Sequence, residues 1–160
     1  MSGTLRNVAD FDQAAAVGLR TLYPRQLKIL VGSASCGVAM GAPNVEAAAR
    51  RAVEELRLDA SVCRTGCIGF CSMEPLLDLV LPNGPRVSYP HMTPQKTRVL
   101  LEAYSKGDLK PELALGRFTS EEIVSTGEVH SYPSCSGPLQ QIPEWSNLDF
   151  YRRQKKVILR

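Results

Sequence analysis

The chain has 160 residues, which is enough for one domain or for one domain with an extension. Hydrophobic residues make up 44% and charged residues 22%, a balance that permits a packed core, while a net charge of +3 without a run of basic residues argues against nucleic-acid binding. No apolar stretch approaches the ~18 residues that cross a bilayer, and the first twenty residues lack the apolar segment of a secretory signal, so we expect a cytoplasmic protein without membrane insertion.

The first part of the chain predicts a strand between two helices. Residues 8–23 predict a short helix, and residues 26–33 form a short apolar run that is typical of a buried strand. The small residues after that strand predict a loop, which holds Cys36. A second helix is expected from about Asn44, whose side chain can accept a hydrogen bond from an unpaired N–H of the first turn.

That second helix is predicted to be amphipathic. Apolar residues recur at three- and four-residue steps and give it one apolar face: Val45, Ala48, Ala52 and Leu56. Glu46 and Arg50 are four residues apart, and we expect them to pair on the solvent-exposed side of the helix.

The middle of the chain predicts more strands and a closing helix. Three further strands are expected, over residues 59–65, 76–82 and 85–92. The dipeptide Asn83–Gly84 favours a tight hairpin turn, since both residues tolerate a positive φ. Thr93 can cap a helix that carries Pro94 in its first position and ends at Gly107. The order β-α-β-β-β-α predicts an α/β fold of the thioredoxin-like type, a mixed sheet with flanking helices.

The pattern changes after Gly107. Residues 108–160 are rich in proline and glycine and show little periodicity, which predicts a connector that lies against something else. We therefore expect three parts: an N-terminal helical extension over 1–24, a domain over 25–107 and a linker over 108–160, whose end opens another element.

Three cysteines stand at four-residue intervals, Cys63, Cys67 and Cys71, with two glycines between them. On a helix, these steps would stack the thiols as a buried stripe of small hydrophobic groups. Each glycine costs a helix roughly 1 kcal/mol relative to alanine, which weakens that interpretation. Structural zinc sites usually pair their ligands as C-x2-C, so the three-residue gaps fit zinc less well. A reversible disulfide is a further alternative, although redox enzymes also prefer C-x2-C.

An iron–sulfur cluster fits this spacing better. A [2Fe–2S] centre takes four thiolates in two pairs, one pair for each iron. Cys67 and Cys71 form a C-x3-C pair between two predicted strands, and Cys36 follows the first strand. If the predicted fold is right, Cys36 faces that pair across the same end of the sheet.

Three segments carry a resemblance to a known family: "SASCGVAMGA", "RTGCIGFCSMEPLLDLVLPNGPRVSYPHMTPQK" and "FYRRQKKVILR". They resemble the N-terminal region of the NADH- and FMN-binding subunits of the complex I family, in the versions of NAD-reducing hydrogenases and NAD-dependent formate dehydrogenases. The resemblance implies a thioredoxin-like ferredoxin domain over about 27–106 and a linker that leads into a flavin domain. FMN and NAD would bind only in that downstream domain, which this sequence does not contain.

The same resemblance implies ligands and partners. That family places two cysteines after the first strand and two in a C-x3-C loop; Cys67 and Cys71 match the second pair, and Cys36 matches the second member of the first. The first member should fall near Val31, where this chain has no cysteine, and Cys63 is the remaining candidate ligand of a [2Fe–2S] cluster. The expected partners are the flavin-binding domain and other iron–sulfur subunits, and the chain alone is not expected to be catalytic. The alternative is a cluster-free interaction module for assembly of such a complex.

The remaining cysteine, the histidines and the late aromatic residues give weaker indications of a function. Cys135 is expected to be a lone thiol in the connector, and His91 and His130 lack ligand partners at a recognisable spacing. Trp145 and the aromatic residues that follow it are expected to anchor the connector or to dock to the flavin domain.

Overall fold

The computed structural model describes residues 6–23, 25–82, 84–123, 127–133 and 136–154. The helices are α1 (Val8–Leu22), α2 (Ser35–Ala39), α3 (Ala42–Glu55), α4 (Pro94–Ser105) and α5 (Asp149–Arg152). The strands are β1 (Leu27–Gly32), β2 (Ala60–Thr65), β3 (Leu77–Val80), β4 (Arg86–Tyr89), β5 (Gly116–Phe118), β6 (Ser120–Ile123) and β7 (Glu128–Ser131). Across these described ranges, no helix combines the length and the apolar character that crossing a membrane requires.

The main sheet has five strands in the order β2-β1-β3-β4-β5. β1 and β2 are parallel and are joined through α3, whereas β3 is antiparallel to both β1 and β4. A hairpin joins β3 to β4, and α4 follows it. This order confirms the prediction of a mixed α/β sheet with flanking helices, the thioredoxin-like arrangement.

One face of the sheet carries the hydrophobic core. Side chains alternate along each strand, so every second residue of β1, β3 and β4 points to the same face. On this face they are almost completely inaccessible to solvent and pack with α3 and α4: Ile29, Val31, Leu77, Leu79, Val87, Tyr89, Val45, Ala49, Leu100 and Leu101. Full burial of each large aliphatic side chain contributes roughly 1.5–3 kcal/mol, so this face dominates the stability of the fold.

The opposite face of the sheet is polar, and its charged side chains pair with one another or with backbone carbonyls. Arg86 forms ion pairs with Asp78 of β3 (2.5 Å) and with Glu121 of β6, and Ser88 donates a hydrogen bond to the Asp78 carboxylate. Lys28 donates from Nζ to the backbone carbonyls at the end of α1, at 2.9 and 3.2 Å. The two-stranded β6–β7 sheet and α1 are therefore fixed to this face by charge-assisted hydrogen bonds.

The start of α3 corrects two predictions. The predicted loop after β1 contains the short helix α2, and α3 then begins at Ala42, so Asn44 lies inside its first turn. Gly41 is the N-cap, with a left-handed φ of 97°, because only two residues separate the two helices. The prediction that Asn44 caps the helix is therefore wrong.

Glu46 also departs from the prediction. It is buried, with 6% of its surface exposed, although it was expected on the solvent-exposed side. The expected partner Arg50 does bind it, at 2.8 Å, but Arg64 of β2 contacts its second oxygen at 2.6 Å. Because β2 passes beside α3, Glu46 joins the helix to the sheet instead of pairing only along the helix.

Residues after Gly107 contain more regular structure than the sequence predicted. β5 extends the main sheet by one strand, and β6 and β7 form a separate antiparallel pair. These strands have three or four residues each, too short for a periodicity that the sequence would reveal. The predictions for Pro24, Asn83, Cys135 and residues 155–160 lie outside the described residues.

Candidate cysteine site

One edge of the main sheet positions the cysteines. β1 and β2 are parallel, so their carboxyl ends meet at this edge, where the Ser33 N–H donates to the Thr65 carbonyl at 3.0 Å. Cys36 follows β1 in α2, Cys67 follows β2, and Cys71 begins a 3-10 turn just before β3. Two segments that are distant in sequence, α2 and the loop between β2 and β3, thus place Cys36, Cys67 and Cys71 at the same end of the sheet.

Cys36 and Cys67 both lie close enough to Cys71 to shift the pKa of its thiol. The interaction with Cys36 is the main cause that raises the pKa of Cys71, while the interaction with Cys67 acts in the opposite direction. Cys67 and Cys71 are exposed and Cys36 is half-buried, so the group faces solvent. We call Cys36, Cys67 and Cys71 the convergent thiols.

A backbone amide also points at this group. The Gly69 N–H donates a hydrogen bond to Cys67 Sγ over 3.2 Å, and Gly69 adopts a left-handed φ of 85°. Glycine tolerates this conformation, which turns the N–H toward the sulfur. Amide donors of this kind stabilise a thiolate and tune a metal bound to it.

Cys63 lies apart from the convergent thiols. It is an interior residue of β2, where the register pairs it with Leu30 of β1 on the sheet face away from α3 and α4. The interpretation of the four-residue spacing as a helix is wrong, because Cys63 lies in a strand, Cys67 in a loop and Cys71 in a 3-10 turn. Among the described residues, no group of three or more His, Cys, Asp or Glu side chains is arranged to hold a metal ion as it stands.

A tight contact between glycines fixes the position of Cys36, which the sequence analysis did not predict. A Cβ placed on Gly37 would overlap the Gly32 carbonyl oxygen and would lie 3.2 Å from Glu74 Oε2. A Cβ on Gly32 would lie 2.8 Å from the same carboxylate oxygen. α2 is therefore packed directly on the end of β1, and only glycine at these two positions permits it. The short spacing of Gly32, Cys36 and Gly37 is the only sequence signal of this junction.

Glu74 completes the junction as a buried acid. Only 3% of its surface is exposed, and the Leu76 N–H donates to its Oε2 at 2.7 Å. Burial raises the pKa of Glu74, and the nearby Asp78 raises it further, while the hydrogen bond from Leu76 opposes both. The Glu74 carboxylate thus lies against Gly32 and Gly37, on either side of Cys36 in sequence.

Aromatic residues near the end of the chain pack on the cysteine loop, which we define as residues 66–71. Phe70 stacks on Phe150, with ring centroids 3.9 Å apart and an interplanar angle of 6°. Tyr151 donates from its hydroxyl to the Ile68 carbonyl at 2.8 Å, and Trp145 meets Phe70 edge-on at 6.4 Å. Burial is the main cause that raises the pKa of Tyr151 to about 12, so its hydroxyl stays protonated at neutral pH. These contacts agree with the prediction that the aromatic residues anchor the connector.

The histidines do not join the cysteine site. His130 stacks on Tyr23, with ring centroids 3.7 Å apart, on the polar side of the sheet. His91 is exposed, and its backbone N–H donates to the Met73 carbonyl at 2.9 Å.

No protein-family model and no curated protein match the sequence. Solved structures of the thioredoxin-like [2Fe-2S] ferredoxin from Aquifex aeolicus are similar to the chain. One covers 57% of this chain and 97% of that chain, at 19% identity and a TM-score of 0.48. A second covers 57% and 92%, at 18% identity and a TM-score of 0.49, and a variant with one cysteine replaced by serine covers 56% and 98%, at 19% and 0.48. Identity this low does not transfer function, which has to follow from the residues of the site.

Proposed function

We propose that this chain is an electron-transfer domain that holds a [2Fe–2S] cluster at the edge of its sheet. The position of Cys36, Cys67 and Cys71 at the same end of the sheet is the observation that supports it most directly. Neighbouring thiolates repel one another when ionised, and a cationic iron centre relieves that repulsion.

The donor set fits three of the four ligand positions of such a cluster. The convergent thiols supply soft sulfur ligands, and the Gly69 N–H supplies an amide donor to one of them. Among the described residues, no further thiol affects Cys71, so the fourth position has no evident ligand there. Cys63 is our candidate for it, and its position inside β2 means that the end of that strand would have to move for it to bind.

A bound cluster would supply one-electron transfer, and the protein would supply everything else. Cys36, Cys67 and Cys71 would bind it, the junction of Gly37 with Gly32 would hold Cys36 in place, and the Gly69 amide would stabilise negative charge on Cys67 sulfur. We therefore propose a carrier and not a catalyst.

The wider setting is part of the same proposal. We propose that the chain belongs to a cytoplasmic NAD-linked oxidoreductase of several subunits, of the NADH dehydrogenase, hydrogenase or formate dehydrogenase type. Its partners there would be a flavin-binding domain, which carries FMN and the NAD site, and other iron–sulfur subunits. The resemblance of residues 27–106 and the lead-in segment supports this setting.

A cluster-free interaction module is the second candidate. One observation favours it: the described residues include no group of metal-ligating side chains arranged to hold an ion as it stands. In that case the same fold and the same thiols would serve only to pack against a partner in the assembly.

Two measurements on anaerobically purified protein separate the two candidates. They are the content of iron and acid-labile sulfide per chain and the absorption spectrum. We expect about two of each per chain, the content of one [2Fe–2S] cluster. The Cys67→Ser variant should lose both, whereas Cys135→Ser, which removes a thiol outside the C-x3-C pair, should keep both. Cys63→Ser then tests the fourth position. A brown protein whose colour Cys67→Ser leaves unchanged would refute the assignment, and an absence of iron after reconstitution would favour the interaction module.

A further inference from the structure

The cysteine loop is held by a segment that lies far away in sequence. Tyr151 and Ile68 are 83 residues apart, yet the Tyr151 hydroxyl donates to the Ile68 carbonyl at 2.8 Å. Ile68 directly follows Cys67, so this hydrogen bond holds the backbone between the two cysteines of the C-x3-C pair.

Ring packing supports the same contact. Phe70 is buried, with 8% of its surface exposed, although it lies between the exposed Gly69 and Cys71. Its burial comes from the parallel stack on Phe150 and from the edges of Trp145 and Tyr151, at 6.4 and 5.8 Å. An aromatic pair of this kind contributes beyond the area that it buries. The loop is thus held at two points, at the Ile68 carbonyl by the hydroxyl and at the Phe70 side chain by the rings.

The aromatic segment is itself fixed to the sheet. Trp145 stacks on Phe118 of β5 at 4.5 Å, and a Cβ on Gly116 would lie only 3.1 Å from the Trp145 ring. Arg117 donates to the Ile142 carbonyl at 3.0 Å and pairs with Glu144 at 3.1 Å. A rigid connection therefore runs from β5, the last strand of the main sheet, to the loop that carries Cys67 and Cys71.

We propose that Tyr151 is a positioning residue of the cysteine loop, which sets the geometry in which Cys67 and Cys71 are presented. It touches the loop backbone and not the thiols, so it acts on them through the Ile68 peptide. The inference rests on the proposed function where the loop holds a cluster, but the contact joins two protein groups and can also be tested in protein prepared without iron.

The first test measures amide hydrogen exchange at Gly69 by NMR on the iron-free protein. Tyr151→Phe removes only the hydroxyl, and Tyr151→Leu removes the ring as well. Tyr89→Phe is the matched control, because the Tyr89 hydroxyl also donates to a backbone carbonyl, that of Leu109, on the core side of the sheet. We expect exchange at Gly69 to become about fivefold faster in Tyr151→Phe, the factor for one ordinary net hydrogen bond, and faster still in Tyr151→Leu. Tyr89→Phe should leave it unchanged even where it lowers the melting temperature.

The second test compares iron-loaded variants by EPR of the reduced protein and by the rate of iron loss to a chelator. Tyr151→Phe should shift the EPR signal and speed iron loss about fivefold, and Tyr89→Phe should do neither. Gly69 exchange within twofold of the wild type in both Tyr151 variants would overturn the inference even if iron binds normally. Faster exchange in a protein that never takes up iron would support the inference while the proposed function fails.

Discussion

Gly37→Ala is the sharpest test of how the fold positions Cys36. The added Cβ would overlap the carbonyl oxygen of Gly32 and would lie 3.0 Å from the carbonyl carbon. A normal separation of about 3.5 Å or more requires α2 to move away from β1 by about 1.4 Å or more. The obstacle is backbone at the end of the central strand, where the Gly32 N–H is bonded to the Leu76 carbonyl at 3.0 Å, so neither side yields easily.

We expect Gly37→Ala to lower the free energy of unfolding by about 3 kcal/mol, the upper end for overpacking, and to lower the melting temperature by about 6–12 °C. Urea denaturation followed by circular dichroism measures the first quantity, and a thermal scan measures the second. Gly18→Ala is the control: no atom lies within 4 Å of its added Cβ in α1, so it should gain up to about 1 kcal/mol. A Gly37→Ala protein within about 0.5 kcal/mol of the wild type would refute this description of the junction.

Two further predictions concern buried charges. Hydrogen bonds from Arg64 and then Arg50 hold the pKa of Glu46 below its usual value, and Glu46→Gln should cost about 1 kcal/mol at neutral pH, since both arginines are largely exposed. A lowered pKa stabilises the fold only while the carboxylate is ionised, so the difference should begin to fall below about pH 4 and disappear once the pH is below the lowered pKa; a difference that persists at about pH 2 would contradict this account. Arg86→Met should cost about 3–5 kcal/mol in urea denaturation, because it leaves the Asp78 carboxylate buried without its cation. Adding Asp78→Leu should recover part of that loss, and a single variant within about 1 kcal/mol of the wild type would show that the pair is not needed.

The sequence predicted the elements in which apolar side chains recur in a regular pattern. β1, α3 and α4 carry long apolar patterns, and Thr93 caps α4 as expected, accepting a hydrogen bond from the Lys96 N–H at 3.2 Å. Parallel pairing of β1 and β2 then places Cys36 and Cys67 at the same edge, which is why part of the site could be predicted.

The remaining features depend on contacts between distant segments, which leave no local pattern. Glu46 looks like an exposed helical residue until β2 brings Arg64 beside it. Phe70 becomes buried only because the last aromatic residues fold back over it. The junction of Gly32 and Gly37 is a matter of ångström-scale packing, which the residue types alone do not indicate.

The β3–β4 hairpin and the cysteines lie at opposite ends of the strands, because β3 begins beside the cysteines and runs antiparallel to β1. In that hairpin the Gly84 N–H donates to the Leu81 carbonyl at 3.2 Å. A peptide inserted there, or a residue introduced for coupling to an electrode surface, would leave the convergent thiols facing solution. The chain could therefore be oriented on a solid support with the convergent thiols outward, without a change to any residue that shapes the site, and direct voltammetry would then test the proposed electron transfer.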